Sequence, residues 1–212
     1  AENLTIVIKA KSVDTANKNL LFDMDMRNST AGRFSLRVLT DGTYSIASGG
    51  SGSEVLGHNA SEWTIYRFTK SGQDVNVYLD ENPTPVATFI STSTTDGSDY
   101  FRFGDGWGSG NIDTQIDWVT WDLTGAYSPA DQALPSELVT PVANWVVYNA
   151  DVDPLSFDPA FEVTQQTNAI NQVITDPDNP DNSLLQMTTA LVSDNNQWRQ
   201  PTTAENLTIV IK

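Results

Sequence analysis

Three aspartates lie close together in one polar loop, Asp176-Pro177-Asp178-Asn179-Pro180-Asp181-Asn182. Carboxylate and amide oxygens are the hard ligands that calcium prefers. The loop is not an EF-hand, because Asp181 stands where that motif requires glycine and Met187 stands where it requires a bidentate glutamate. The sequence therefore predicts either a calcium site formed by Asp176, Asp178 and Asp181 or an ordinary Asp/Asn/Pro turn.

A second group of aspartates flanks a glycine-rich loop at 104–110. Asp105 lies in that loop, and Asp113 and Asp117 follow it. These three carboxylates are a second candidate for a calcium site, again with an ordinary polar turn as the alternative.

Catalytic chemistry finds little support in the chain. Hydrolysis of glycosidic bonds by an acid and a nucleophile needs two carboxylates about 5 Å apart on one face. Asp23 and Asp25 alternate on a strand pattern, but they are short and have no third acid beside them, so a solvated strand face is the simpler interpretation. His58 is the only histidine and lies in a Gly-His-Asn loop, which disfavours histidine-based catalysis. We expect no enzymatic activity.

Sugar binding requires an exposed aromatic ring that can stack on a pyranose, with polar groups nearby. Trp107 lies among glycines in a loop and is the best candidate. Trp198 with Arg199 is a second candidate pair. A loop tryptophan can also cap a core or contact another subunit, and these alternatives stay open.

The elements that must position these residues are short strands. Alternating apolar residues and turn signals predict one hairpin through Phe34–Val38, the turn 40–43 and Tyr44–Ile46, and a second through 63–68 and 75–79. Further strands are predicted at 100–103 and 116–121. Many short strands separated by turns are typical of a β-sandwich.

The first nine residues, Ala1–Lys9, return unchanged as Ala204–Lys212. Each copy alternates apolar residues with others, which predicts a half-buried strand. A compact domain has one position in its sheet for this strand. Two copies therefore indicate that the chain is one period of a longer array of domains, a circularly permuted domain, or a subunit that offers a strand to a neighbour. The apolar residues that would enter such a slot are Leu4, Ile6, Ile8, Leu207, Ile209 and Ile211.

The composition of the chain excludes several kinds of site and partner. The 212 residues include no cysteine, which excludes disulfides and thiolate metal sites. The formal net charge of −16 argues against nucleic acid and anionic membrane surfaces, because both require a basic footprint. No apolar run approaches the roughly 20 residues that span a bilayer, so we expect no membrane insertion.

One change in residue composition divides the chain into two parts. Residues 129–141 contain three prolines and predict a stiff connector. The segment 1–128 is then the C-terminal portion of one β-sandwich repeat, and 142–212 is the N-terminal portion of the same or the next repeat. Read in this order, the domain begins near Val142, and Thr202-Thr203-Ala204 leads into the repeated strand.

Read in that rotated order, the chain resembles a bacterial concanavalin-A-like, laminin-G-like (LamG) jelly roll over nearly its whole length. The resemblance rests on Trp145-to-Asp151, Asp176-to-Asn179, Gln197-Trp198-Arg199, Leu4-to-Lys9, Thr40-Asp41-Gly42, Trp63-x-x-Tyr66-Arg67, Val75-x-Val77-Tyr78-Leu79, Phe101-x-Phe103-Gly104-Asp105, Ile116-Asp117-Trp118-Val119-x-Trp121 and Gly125-to-Pro129.

The resemblance implies an all-β, two-sheet antiparallel jelly-roll sandwich in circularly shifted strand order. Such domains are secreted or displayed at the cell surface, bind glycans or mediate adhesion more often than they catalyse, and often hold a structural calcium. We expect a repeat of an extracellular fibre or giant adhesin, with identical repeats or subunits as partners. The alternative is a carbohydrate-binding module of a secreted polysaccharide-degrading enzyme, with a polysaccharide as its partner.

Overall fold

The computed structural model describes residues 3–13, 20–28, 32–39, 43–48, 53–55, 58–91, 100–105, 113–134, 146–149, 162–165, 169–177, 179–189 and 196–201. Within these ranges all regular secondary structure is β-strand, in agreement with the predicted all-β class. No helix in these ranges is long and apolar enough to cross a membrane.

The larger sheet contains eight strands that pair antiparallel. Its path runs β13, β14, β10, β1, β6, β7, β8, and β11 also pairs with β10. The strands are β1 (Asn3–Ser12), β6 (Thr64–Ser71), β7 (Asp74–Leu79), β8 (Ala87–Ile90), β10 (Asp113–Asp122), β11 (Val146–Asn149), β13 (Ala169–Thr175) and β14 (Ser183–Thr189).

The smaller sheet contains seven strands, also antiparallel, in the order β12, β15, β9, β2, β3, β4, β5. They are β2 (Leu20–Asn28), β3 (Gly32–Leu39), β4 (Thr43–Ser48), β5 (Ser53–Val55), β9 (Tyr100–Asp105), β12 (Glu162–Gln165) and β15 (Asn196–Pro201).

One hydrophobic cluster contains residues from both sheets. Phe101 of β9 and Trp121 of β10 belong to it, and their ring centroids are 5.2 Å apart. Val38 of β3 and Phe103 of β9 are buried in the same cluster. This apolar contact between antiparallel sheets is consistent with the predicted β-sandwich.

Both predicted hairpins are confirmed. β3 pairs with β4, and β6 pairs with β7 from Ser71 opposite Asp74 to Tyr66 opposite Leu79. Gly72 in the second turn has a φ of 55°, a left-handed conformation that glycine adopts without a steric penalty. Local turn chemistry therefore explains the pairing of β6 with β7.

Strand β10 changes its partner part-way along. Asp113 to Ile116 pair with β14, whereas Trp118 to Trp121 pair with β11. Asp117 lies between the two stretches, at a register shift in the pairing with β1. It is a β-bulge residue, and bulges redirect a side chain from the regular alternation.

Strands from the two sides of the predicted connector pair with each other. β14 and β11 pair with β10, and β15 pairs with β9. Residues 135–145 lie outside the described ranges, whereas residues 129–134 of the predicted connector lie inside them.

Candidate functional site

The repeated strand occupies the interior of the larger sheet. β1 pairs with β10 on one side and with β6 on the other, from Asn3 opposite Ser71 to Ser12 opposite Thr114. We call this position between β10 and β6 the β1 slot. Because the strand is paired on both sides, its backbone groups are used as they are in a central strand rather than in an edge strand.

The predicted strand residues Leu4, Ile6 and Ile8 point into the core. All three are fully buried and belong to the cluster that spans the two sheets. Burial of each such side chain contributes about 1.5–3 kcal/mol. The inward face of the slot therefore selects an apolar residue at every second position.

The outward face of β1 is covered by residues 123–134, which we call the strap. Thr5 Oγ1 donates a hydrogen bond to the Gly125 carbonyl (2.9 Å) and accepts one from the Tyr127 amide (2.7 Å). Val7 packs in a second apolar cluster with Trp118, and Leu134 of the strap packs against it. The strap therefore contacts the outward side chains Thr5 and Val7 of the strand.

The prediction of a half-buried strand is wrong for β1. Every residue from Leu4 to Ile8 is fully buried, including the outward-facing Thr5 and Val7. The reason is the strap, which begins directly after β10 and runs back over the outer face of the sheet. A period-two pattern reports which side chains share a face, and it carries no information on what covers that face.

Lys9, the last residue of the repeat, makes an ion pair at the bulge of β10. Its Nζ is 2.7 Å from Asp117 Oδ2, and both side chains are partly buried. Asn182 Nδ2 donates to the other oxygen of Asp117 at 2.9 Å and to Asp176 Oδ2 at 3.2 Å. One aspartate of each predicted group, Asp117 and Asp176, thus accepts a hydrogen bond from Asn182.

The predicted calcium ligands are only partly brought together. Asp176 is buried and faces Asn182, whereas Asp181 is exposed and its amide bonds to Asn179 Oδ1. Asp178 lies outside the described residues. Across the part of the chain that the structure describes, no group of three or more His, Cys, Asp or Glu side chains could hold a metal ion. The cation that Asp117 binds in the structure is the ammonium group of Lys9.

The alternative aspartate group is spread along two strands. Asp105 ends β9 in the smaller sheet, opposite Asn196, and Asp113 begins β10, opposite Thr188. Asp117 alone of the three has described side-chain contacts, those to Lys9 and Asn182.

A buried arginine beneath the strap bonds the strap to the sheet and also forms an ion pair. Arg67 of β6 is fully buried and binds both oxygens of Glu81, with Nε 3.0 Å from Oε1. Arg67 also donates to the Tyr127 carbonyl at 3.0 Å. Glu81 has a φ of 58°, a conformation that costs about 1–2 kcal/mol outside glycine. Glu81 therefore binds Arg67 from a backbone position that is unfavourable outside glycine.

The strap is also ordered by contacts of its own. Asp131 Oδ2 accepts bonds from the hydroxyl and the amide of Ser128, and these bonds lower the pKa of Asp131. Gln132 donates to Asp122 Oδ2 at 3.1 Å. A Cβ at Gly125 would overlap the ring of Tyr127, so a larger residue here would require that ring to move.

Trp63 lies on the outer face beside two lysines. Lys11 Nζ is 4.7 Å and Lys9 Nζ is 5.4 Å from its ring centroid, within cation–π range. The ring is partly exposed. Trp118 and Trp121 are buried, as expected for sheet and core residues.

Several predicted site residues have no described side-chain surroundings. Trp107 lies outside the described residues, as do Leu207, Ile209 and Ile211. For Trp198 and Arg199 the structure describes backbone pairing alone: Trp198 is opposite Phe103, and Arg199 is opposite Arg102. The glycan-binding role of these residues stays a prediction.

The only histidine is a structural residue near the core. His58 Nε2 is 2.6 Å from the Tyr66 hydroxyl, and its buried Nδ1 has no hydrogen-bond partner. Burial lowers the pKa of His58 below its ordinary value of 6.5 and raises the pKa of Tyr66 above its ordinary value of 10.0. The neutral imidazole is the favoured form here.

Sequence reasoning missed the strap, the Arg67–Glu81 ion pair and the Lys9–Asp117 ion pair. The only signal for the strap was a short apolar and glycine stretch, Leu123 to Tyr127, directly after a strong strand pattern. The ion pairs join residues that are far apart in the chain, and no spacing rule identifies such partners.

Comparison with known proteins adds no relative. A scan against protein-family models finds no matching family, and a search of curated proteins finds no similar protein. Functional inference for this chain therefore depends on its own residues.

Proposed function

We propose that this chain is a non-catalytic structural repeat of an extracellular β-sandwich fibre or adhesin, joined to identical repeats head to tail or by strand exchange. Its partners are further copies of itself. The lack of cysteine, the acidic composition and the resemblance to LamG jelly rolls support this setting.

One observation carries the proposal. The nonapeptide that occurs twice is the strand that fills the centre of the larger sheet, where both of its faces are buried. A sequence so closely fitted to one slot has little reason to occur twice in a single closed domain. Two copies are explained if the chain is one period of a repeating assembly.

The proposal also includes the topology of the sandwich and the order of its two portions. We infer a jelly roll whose natural order runs from about residue 142 through 203 and continues as 1–134. The strap includes residues 129–134 of the predicted connector, which leaves 135–141 to connect the repeats. The pairing of β14 with β10 and of β15 with β9 joins the two portions in one folded unit and is compatible with either order of the portions.

The test is the intact mass of native material under denaturing conditions, together with its sedimentation under native conditions. A mass many times 23.2 kDa is expected for a covalent array. Material of single-chain mass that sediments as polymers would indicate strand exchange. A single-chain mass with monomeric sedimentation at all concentrations would refute a structural repeat.

Carbohydrate binding is the second candidate, and the surroundings of Trp63 favour it. A partly exposed ring, two ammonium groups, the Asp117 carboxylate and the Asn182 amide lie on one face of the sheet. An aromatic ring beside hydrogen-bonding groups is the usual chemistry of a sugar site. Glycan-array binding that is lost in Trp63→Ala, or in Trp107→Ala for the loop site, would support it, and an array without any binding would refute it.

Calcium at Asp176, Asp178 and Asp181 is a further proposal with its own test. Bound calcium stabilises the folded state by mass action, so Tm should rise with calcium concentration and fall after chelation. Asp178→Asn should reduce that rise. A Tm that changes neither with calcium nor with chelator would refute calcium binding at this site.

A further inference from the structure

We propose that Ala204–Lys212 is an alternative occupant of the β1 slot of its own domain, and that by entering it the second copy releases Ala1–Lys9. This inference rests on the proposed self-assembling function and names the segment and the site that would perform the exchange. The released strand is then available to another copy of the chain.

The strand that precedes the second copy ends close to the slot. Gln200 of β15 is opposite Phe101, the Phe101 ring contacts Trp121, and Trp121 is opposite Ile6 of β1. With roughly 5 Å between paired strands and about 10 Å between sheets, Gln200 and Ile6 are at most ~20 Å apart.

The connecting chain is long enough for this distance. Ile209 is the counterpart of Ile6 in the second copy, nine residues after Gln200. Nine extended residues reach about 30 Å. The connecting chain is therefore long enough for the second copy to reach the β1 slot once Ala1–Lys9 leaves it.

Both faces of the slot fit the second copy as well as the first. Its inward residues are Leu207, Ile209 and Ile211, and its outward residues are Thr208, Val210 and Lys212. Thr208 would take the two strap hydrogen bonds of Thr5, and Lys212 would take the ion pair of Lys9 with Asp117. A register slip of one residue would turn the lysine toward the core, so the alternation disfavours that slip.

The slot contacts do not distinguish the two copies, because the nine residues are identical. Occupancy is then decided by how the chain connects each copy to the slot, that is, by effective concentration. The first copy is joined to the slot through Ala10 and the second through residues 201–203. A chain with two copies and one slot always presents one copy that another domain can take up.

Cysteine crosslinking tests the occupancy directly, since the chain contains no cysteine. Val7 is opposite Thr120, whose buried hydroxyl has no hydrogen-bond partner, so replacing Thr120 leaves no group unpaired. We expect the double variant V210C/T120C to form a disulfide within one chain under mild oxidation at low protein concentration. V7C/T120C is the positive control, and I209C/T120C is the matched control, because residue 209 would face the opposite side.

The outcomes separate this inference from the proposed function. A V210C/T120C pair that stays reduced, or that oxidises no more than I209C/T120C while V7C/T120C oxidises, overturns the inference. So does a disulfide found only between chains, although that result would leave assembly by strand exchange intact. Sedimentation of the unmodified chain tests assembly independently.

A second measurement covers the case in which cysteine variants fold poorly. A carboxylate at position 6 cannot enter the apolar core without a large penalty. In dilute solution Ile6→Asp should keep its cooperative urea transition, because the second copy replaces the damaged strand, and Ile209→Asp should keep it as well. I6D/I209D should lose the transition. An I6D variant that is as unfolded as the double variant overturns the inference.

Discussion

Removal of the strand hydroxyl that binds the strap should destabilise the whole domain. We consider the double variant T5V/T208V, which removes this hydroxyl whichever copy fills the β1 slot. Valine keeps the β-branched shape, so the strand and its packing are retained. The Gly125 carbonyl and the Tyr127 amide both lose their partner.

The magnitude follows from the burial of these two groups. An unsatisfied buried polar group costs about 1–3 kcal/mol. Gly125 is buried, whereas Tyr127 is partly exposed and its amide can regain some hydration. We expect the free energy of unfolding to fall by about 2–4 kcal/mol, which is a large part of the total of roughly 5–15 kcal/mol for a typical domain.

The assay is urea unfolding at pH 7 followed by tryptophan fluorescence, with amide exchange of Tyr127 as a local probe. Thr88→Val is the matched control, because Thr88 lies on the exposed face of β8 and bonds only to Asn76. That substitution should change stability by less than about 0.5 kcal/mol. A loss below about 1 kcal/mol in T5V/T208V, or unchanged protection of Tyr127, would show that the strap does not depend on this hydroxyl.

The remaining predictions concern charge. Glu81→Gln should lower the free energy of unfolding by about 3 kcal/mol, because the fully buried Arg67 keeps its charge without a counter-ion. Arg67→Met should lower it by less, because the Glu81 side chain is 23% exposed and can be hydrated. Equal losses of stability for the two variants in urea titrations would contradict this reasoning. The depressed pKa of His58 means that the unfolded chain binds its proton first, so stability is complete above pH 6.5 and declines as the pH falls below it. His58→Gln should abolish that part of the decline between pH 7.5 and 5.5, and an unchanged slope would refute the assignment.

Much of the strand content was predictable because its causes are local. The β6–β7 hairpin follows from alternation on both sides of a turn with glycine at a left-handed position. The same alternation placed Leu4, Ile6 and Ile8 on one face, and they are buried together.

The candidate site was less predictable because its contacts join distant parts of the chain. Lys9 and Asp117 are 108 positions apart, and Thr5 and Gly125 are 120 positions apart. Asp117 reaches Lys9 only because a bulge interrupts β10 where its partner changes from β14 to β11. Neither a bulge nor a change of partner has a reliable signature in one sequence.

The sequence by itself determined that this chain is built of strands and that one nonapeptide occurs twice, since both facts need only neighbouring residues and a comparison of the chain with itself. Tertiary structure alone decided that this nonapeptide lies at the centre of a sheet, with Thr5 and Val7 covered by the strap. The physical reason is that alternation divides side chains between two faces, whereas the burial of each face depends on segments that return from far along the chain.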